Sequence, residues 1–452
     1  LKTSLRALKS KLFSIIPNSD TLPKSGLYHY TIEEPGFRTR VHLRIDPDGH
    51  GTLIVNANRI MHLNPTAALM AYLSLEKTPE NEVVREITQT YNVSATQAKE
   101  DYAKLADSLL QVTSPDSCPV CNLDNLEITA PFSSRPSAPY RMDLALTYRC
   151  NDDCAHCYNA RPRNYPELNT NQWFDIIDQL WDLGIPHVVF TGGEPTLRDD
   201  LPKLIAHAEK NGQITGLNSN GRRLYDMRFV HELVDAGLDH VQITVESHDP
   251  NIHDKMVNKR GAWKQTISGL RNVLDTPLFV MTNTTMLRAN SPYLGETLDF
   301  LGRMGLPTIG LNALIYSGRG LTVGTGLKEQ ELTPLLNLAR EKTSTYNQRL
   351  IWYTPTQYCH FDPMQLELGI KGCTAALYNM CIEPDGAVLP CQSYYQPLGY
   401  LNQDPWDSIW NHPLATKIRE RQYIPDKCTE CVLLQECGGG CPLAIQAQEI
   451  QQ

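Results

Sequence analysis

Between residues 141 and 312 the sequence alternates apolar runs with helical patterns six times over. Residues 142–147, 187–190, 214–217, 240–245, 278–283 and 308–312 have the near-continuous apolar character of buried parallel strands. Between them Trp173, Ile176, Ile177 and Leu180, then Leu201, Leu204, Ile205 and Ala208, recur at helical spacing, and Ser291-Pro292 marks a later helix start. Such alternation leaves few folds open. It predicts an α/β domain whose parallel sheet curls into a partial (β/α)6 barrel of the TIM kind, with its site at the C-terminal ends of the strands.

The first of those strand ends carries Cys150, Cys154 and Cys157, a C-x3-C-x2-C triplet on one short loop. Three thiolates so placed can hold three corners of a cubane iron–sulfur cluster and leave its fourth iron without a local protein ligand, open to chemistry. Ferredoxin-type C-x2-C-x2-C runs do not reproduce the spacing. After the second strand comes Thr191-Gly192-Gly193-Glu194-Pro195. Paired glycines let a backbone approach a ligand closely, and a carboxylate at a strand end accepts bonds from an ammonium group. Asn218-Ser219-Asn220-Gly221 follows the third strand and Val245-Glu246-Ser247 the fourth. Taken singly, these polar stretches close loops as readily as they bind a ligand.

The triplet and the Gly-Gly-Glu-Pro stretch together resemble the signature of the radical S-adenosylmethionine (SAM) enzymes, although the residue before the last cysteine, usually aromatic there, is His156. The resemblance implies that Cys150, Cys154 and Cys157 hold a [4Fe–4S] cluster whose free iron is chelated by SAM. It implies that Gly192, Gly193, Glu194 and Pro195 hold the methionine amino end, with further cofactor contacts from His156, Asn220 and Ser247. An electron from the cluster then cleaves SAM to a 5′-deoxyadenosyl radical, which takes a substrate hydrogen while the protein positions the cofactor and excludes water.

The C-terminal third carries a second cysteine constellation: Cys373, then Gly386 and Cys391, then Cys428-x2-Cys431-x5-Cys437-x3-Cys441. From spacing, the last four suit one zinc or iron–sulfur site. The whole arrangement resembles the SPASM domain, which implies one or two auxiliary iron–sulfur clusters, the first on Cys373, Cys391 and Cys441 and the second on Cys428, Cys431 and Cys437. The family's seventh cysteine has no counterpart in residues 442–452. A non-cysteine ligand, the linker pair Cys118 and Cys121, an open iron, absence of the cluster or a shortened chain would each account for that. Cys381, inside an expected strand, either completes the first cluster or is a small core residue. Cys359 is a ligand, a hydrogen-atom donor or structural.

Near the N-terminus, Val41, Leu43 and Ile45 alternate with polar residues, Asp46-Pro47-Asp48-Gly49 marks a turn, and residues 52–55 return as a second strand. Three helices follow, opened by Asn64-Pro65, Thr78-Pro79 and Ser94. This small winged-helix-like α+β domain resembles the PqqD-like precursor-peptide recognition element, in which a leader peptide joins a sheet edge beside a helix. A DNA-binding winged helix has the same element order.

These readings divide the chain into a PqqD-like domain (26–111), a Pro- and Ser-rich linker (112–138), a radical SAM partial barrel (139–355) and a SPASM domain (356–452). The net charge of -9 argues against a nucleic-acid partner, and no apolar run is long enough to span a membrane. Thirteen cysteines, an odd number at metal-like spacings, point to a reducing cytoplasm rather than a disulfide framework. The resemblances together imply a radical SAM maturase of ribosomally made peptides. A flavodoxin or ferredoxin would supply the reductant, and oxidative cross-linking through a carbon–carbon or thioether bond would be the outcome. Peptide epimerisation, backbone excision, a SPASM enzyme acting on a sulfatase or haem precursor, and a redox-sensing DNA-binding protein are the alternatives.

Overall fold

The computed structural model describes residues 23–34, 37–56, 59–113 and 136–450, so Cys118 and Cys121 lie outside the described residues. The chain divides into two units: residues 1–134 with 182–184, and the remainder.

The N-terminal unit is an antiparallel sheet, β1 (Gly26–Glu34), β2 (Phe37–Ile45), β3 (Gly51–Val55) and β4 (Arg59–Leu63), in that spatial order, followed by helices Pro65–Leu75, Glu80–Thr90 and Ala95–Thr113. The expected turn joins β2 to β3: the Gly49 N–H donates to Asp46 O at 2.9 Å, with Gly49 at φ +84°. Asn64 Oδ1 caps the first helix by accepting from the Ala67 N–H at 2.9 Å, and Ser94 Oγ accepts from the Gln97 N–H at 3.2 Å. Val41, Leu43, Leu53 and Val55 bury against Leu69, Val83, Ile87, Leu105 and Leu109. The sequence pattern singles out two strands where the sheet has four. In β1 the inward face is carried by Tyr28, Tyr30 and Ile32, and β4 has Arg59 and His62 among its five residues, so neither strand stands out as apolar. The strand order makes β1 and β4 the sheet edges, and Ile60 on β4 is 44% exposed.

The second unit is built on ten strands: β5 (Arg141–Thr147), β6 (His187–Gly192), β7 (Ile214–Ser219), β8 (His240–Thr244), β9 (Phe279–Thr285), β10 (Thr308–Asn312), β11 (Arg349–Trp352), β12 (Asn379–Ile382), β13 (Ala387–Leu389) and β14 (Gly399–Tyr400). Their order is β11-β10-β9-β8-β7-β6-β5-β12-β13-β14. The six expected strands form its centre, all parallel. The parallel run is longer than expected, because β11 adds beside β10 and β12 beside β5. The segment from residue 356 onward therefore continues the barrel sheet through β12.

The pairing register divides the central strands into two unlike faces. Met142, Leu144, Leu146, Val188, Phe190, Leu217, Val241, Ile243, Val280, Ile309 and Leu311 share one face, each at most 2% exposed. Helices with equally buried apolar stripes, such as Trp173, Ile176, Ile177 and Leu180, supply its cover. The opposite face carries Asp143, Thr191, Asn218, His240, Gln242, Thr244 and Asn283. Gly216 lies between β6 and β8 on this face, and its missing side chain lets His187 Nε2 and His240 Nε2 meet at 2.9 Å. A polar interior on an otherwise apolar parallel sheet marks the face built for a ligand.

Candidate functional site

The cysteine loop after β5 has no helix or strand of its own and is held by its neighbours. The Asp153 N–H donates to Val257 O at 2.9 Å and the Ala155 N–H to Met256 O at 3.2 Å. At its far end the Arg319 N–H donates to Cys157 O at 2.9 Å. Gly318 packs where a Cβ would come within 2.5 Å of Asn159 O, so the Ser317-Gly318-Arg319-Gly320 turn is a clamp on this loop. Arg222 pairs with the buried Asp152 at 2.8 Å, and Arg163 donates to the carbonyls of Cys150 and Asp152. Asn151, Asp152, Asp153, Arg163, Arg222 and Lys259 line, with Cys150, a cavity of about 440 Å³.

The Gly-Gly-Glu-Pro stretch grips the start of the same loop. The Gly193 N–H donates to Thr147 O at 2.7 Å and the Glu194 N–H to Arg149 O at 2.8 Å. A Cβ on Gly192 would stand 2.2 Å from Thr147 O, and one on Gly193 2.4 Å from Arg149 O, so only glycine permits this approach. The Glu194 side chain is fully buried. Its Oε1 accepts from Thr196 Oγ1 at 2.6 Å, Ser219 Oγ at 2.8 Å and the Thr196 N–H at 3.2 Å, and its Oε2 accepts from the Asn220 N–H at 2.7 Å. In this structure Glu194 ties the second strand end to the third. Asn220 continues the link, donating from Nδ2 to Asn151 Oδ1 at 2.6 Å.

His156 Nε2 lies 3.0 Å from Glu246 Oε1, and Glu246 Oε2 accepts from the Thr285 N–H at 3.0 Å. Ser247, expected at the cofactor, is 0% exposed, and its Oγ accepts from the Asp249 N–H at the start of the next helix. Sequence reasoning passed over Asn283 and Asn312. Their Oδ1 atoms, with His156 Nδ1, are buried without a hydrogen-bond partner. Buried polar groups are normally paired, and orphans at the C-terminal ends of a parallel sheet suit a polar ligand. An asparagine closing an apolar strand is the only signal the sequence offered for them.

The thiols gather in three groups. Burial pushes Cys150 up to about 12, with Glu194 adding to the rise. Cys154 is raised by burial and then by Asp152, Cys157, Glu246 and Cys150. Cys373 is raised by burial and by Cys441 and Cys391, so Cys441 stands with these two. Cys428 is raised by burial and by Cys359, Cys437 and Cys431. Cys381 is buried on β12 among Ala145, Tyr148 and Leu389, raised by burial, Asp143 and Cys391. Grouped thiols held protonated by burial are the donor set that a cationic iron–sulfur core relieves, because metal ligation removes their protons. Among the described residues no three His, Cys, Asp or Glu side chains close on one point as ligands of a single ion would. The thiolates of a cubane bind different irons and have no need to. Each group fits an iron–sulfur cluster by donor type.

A buried carboxylate that the sequence did not reveal follows directly on β12. Glu383 accepts from Arg161 Nε at 2.7 Å, Arg161 Nη2 at 2.8 Å and Tyr148 OH at 3.1 Å. The Arg161 guanidinium lies 5.3 Å from the ring centres of both Tyr165 and Tyr395.

Three known domains match this chain: the radical SAM superfamily over residues 144–312, the SPASM iron–sulfur cluster-binding domain over 373–432, and coenzyme PQQ synthesis protein D (PqqD) over 45–112. Fe-coproporphyrin III synthase of Methanosarcina barkeri is 26% identical over 332 residues, 67% of this chain and 83% of that protein. PqqA peptide cyclase of Rhizobium meliloti is 27% identical over 325 residues, 69% of this chain and 84% of that protein. The structure of Streptococcus suis SuiB bound to precursor peptide SuiA matches with a TM-score of 0.66 at 17% identity, over 91% of this chain and 95% of that chain. The fold and its matching domains define a radical SAM enzyme, which uses a [4Fe–4S] cluster and SAM. This chain adds to it a SPASM iron–sulfur domain and a PqqD domain.

Proposed function

We propose that this enzyme is a maturase that binds a ribosomally made precursor peptide through its PqqD domain and removes a hydrogen atom from the peptide's core segment, most directly to form a carbon–carbon or thioether cross-link. The observation that carries this reading is the presence on one chain of a PqqD domain with radical SAM and SPASM domains. The similarity to PqqA peptide cyclase and the fold shared with SuiB support it. The setting proposed is the reducing cytoplasm, with a flavodoxin or ferredoxin as electron donor. Among the described residues no helix is long and apolar enough to cross a membrane.

In this reading Cys150, Cys154 and Cys157 hold the catalytic cluster, Cys373, Cys391 and Cys441 a first auxiliary cluster, and Cys428, Cys431 and Cys437 a second. The chemistry that the cluster supplies with SAM is one-electron cleavage of the sulfonium to a radical able to take a hydrogen atom. Gly192 and Gly193 keep the backbone beside the cysteine loop clear for the cofactor's amino end, and Glu194 fixes that backbone through Ser219 and Asn220. Glu246 orients the His156 ring, leaving Nδ1 free for the cofactor. Asn283 and Asn312 offer acceptors from the facing strands. An oxidative cross-link also requires a proton and an electron to leave the substrate. The Cys373 group is the proposed receiving end.

The test is anaerobic co-expression with candidate precursor peptides drawn from short open reading frames near the gene, followed by tandem mass spectrometry. The expected product is a peptide lighter by two hydrogen atoms per bond, with its leader intact. An unchanged peptide mass would remove the reading. The Methanosarcina barkeri relative, at nearly the same identity, favours a second reading, in which the protein forms Fe-coproporphyrin III; that reading predicts conversion of a porphyrin precursor and no change in the peptide.

A further inference from the structure

The turn that carries Cys359 is fastened to the loop that carries Cys437. Its own shape is set by Gln357 O, which accepts from the His360 N–H at 2.9 Å and the Phe361 N–H at 3.2 Å. Helix Glu329–Thr345 holds it from one side, since His360 Nδ1 lies 2.6 Å from Glu329 Oε2 and the Gln357 N–H donates to Glu329 Oε1 at 3.4 Å. On the other side the Tyr358 N–H donates to Cys437 Sγ at 3.4 Å, and the Cys437 thiol donates back to Thr356 O at 3.6 Å. Gln357 Nε2 reaches Gly439 O at 3.3 Å, and a Cβ on Gly440 would already press Gln357 Cγ at 3.0 Å. Cys359 is therefore a single peptide step of about 3.8 Å beyond a residue whose N–H touches the Cys437 sulfur.

The exposure of the four cysteines is graded. Cys437 is buried, Cys428 half-buried, and Cys431 and Cys359 are exposed. Two thiols thus sit on the protein side of the group and two on the solvent side. An iron–sulfur cubane takes one thiolate per iron, four in all when it serves electron transfer. The C-x2-C-x5-C run supplies three.

We infer that Cys359 is the fourth thiolate of the cluster held by Cys428, Cys431 and Cys437. This rests on the proposed reading that those three cysteines hold an iron–sulfur cluster. It makes the second auxiliary site an all-cysteine, four-ligand centre suited to electron transfer, with no iron open to a substrate. The N–H of Tyr358 directed at Cys437 is a bond of the kind that tunes such a centre's potential. It also joins the end of the barrel to the C-terminal loop through the metal, since Cys359 follows β11 and Cys428 lies beyond β14.

The test uses the full chain, purified and reconstituted anaerobically with iron and sulfide. Alkylation by iodoacetamide, read by mass spectrometry at the Cys359 peptide, is compared before and after iron chelation. Because Cys359 is exposed, a free thiol there reacts equally in both states. Ligation predicts at least a tenfold slower reaction in the loaded protein. In parallel, Cys359→Ala and Cys437→Ala should each lose the iron of the same cluster, or leave a three-iron remnant visible by electron paramagnetic resonance after oxidation. Cys359→Ser should recover part of that iron. If Cys437→Ala loses iron while Cys359→Ala keeps the wild-type content and spectrum, Cys359 is not a ligand and the three-cysteine site stands without it. If neither variant changes the iron, both the inference and the reading beneath it fall. Should a variant not fold, the wild-type alkylation decides.

Discussion

Gly193 shows how far a single residue can govern this site. It is not in the left-handed region, so alanine would suit its backbone. The obstacle is the neighbouring loop, where Arg149 O and Tyr148 O would lie 2.4 Å and 2.7 Å from the new Cβ. Neither carbonyl is the far end of a flexible side chain, so the loop that leads to Cys150 must move. Overpacking of this kind costs about 1–3 kcal/mol. Gly193→Ala is expected to stay folded, with thermal stability reduced by that amount, while 5′-deoxyadenosine formation from SAM falls at least about tenfold. His253 governs the pH response of the same region. It is 1% exposed, and its Nδ1 accepts from the Glu246 N–H at 3.2 Å, which only the neutral ring can do. Burial lowers its pKa from the ordinary 6.5, against smaller opposing influences from Glu246 and Asp254. The unfolded chain therefore binds a proton that the folded chain refuses, and stability falls as pH drops below 6.5 toward the lowered folded value. His253→Asn keeps an acceptor and removes the titration. Urea midpoints measured from pH 7 to pH 5 should decline less steeply in the variant, by up to about 1.4 kcal/mol per pH unit. Equal slopes would assign the acid response elsewhere.

The elements around the cysteine loop were legible to very different degrees. The six central strands could be read from the sequence because their helix-covered faces are continuously apolar, as at Val188 and Phe190 or Val241 and Ile243. The outer members β11 and β12 are four residues each, and β12 pairs with β5 across more than 230 positions of sequence, so local pattern gave no sign that they extend the sheet. The cysteine triplet and Gly192–Gly193 were legible as motifs. The parts that hold them in place were not, since Arg222, Arg319 and Val257 come from distant loops and have ordinary neighbours in sequence. Nothing local marks Ser317–Gly320 as a clamp either, because the partner of Arg319, Cys157 O, is 162 residues away in numbering. Arg222 tests the weight of these clamps. Asp152 is 3% exposed and loses its cation in Arg222→Ala, which costs about 3 kcal/mol or more when a buried charge is left unpaired. The variant should lose iron from the catalytic cluster faster on dilution than the wild type, and adding Asp152→Asn should restore part of the stability. A double variant no better than the single would show that Arg222 acts through the Asn151 carbonyl instead.

At the scale of the whole molecule, the proposed reading assigns substrate capture and chemistry to different parts of the chain, which should then fail independently. β4 is an edge of the N-terminal sheet with Ile60 44% exposed on it, the kind of strand a peptide extends. Ile60→Pro removes a backbone donor from that edge. In the full chain it should weaken precursor binding at least tenfold by fluorescence anisotropy, while peptide-free cleavage of SAM and iron content stay at wild-type values.

The C-terminal loop makes the opposite case, a part whose order is expected to depend on metal. From Asp426 to Glu436 it has only a short 3-10 turn and the start of a four-residue helix, and Val432 is 92% exposed. Three glycines at positive φ, Gly438, Gly439 and Gly440, then turn the chain toward Cys441. So little apolar surface is buried there that packing cannot offset the entropy of ordering the segment, which runs to about 1–2 kcal/mol per residue. On the proposed reading a bound cluster supplies the difference, as in small metal-folded domains. The sheet beneath is different, since Leu144, Phe190, Leu217 and Val241 are wholly buried without any cofactor. Iron chelation should therefore open the loop and leave the barrel standing. Limited trypsin digestion should cut after Lys427 at least about tenfold faster in chelated than in loaded protein, while far-ultraviolet circular dichroism changes little and cuts within β5 to β10 stay absent. Equal cutting at Lys427 in both states would mean that the loop orders itself, and that the thiols of Cys428, Cys431 and Cys437 hold no cluster.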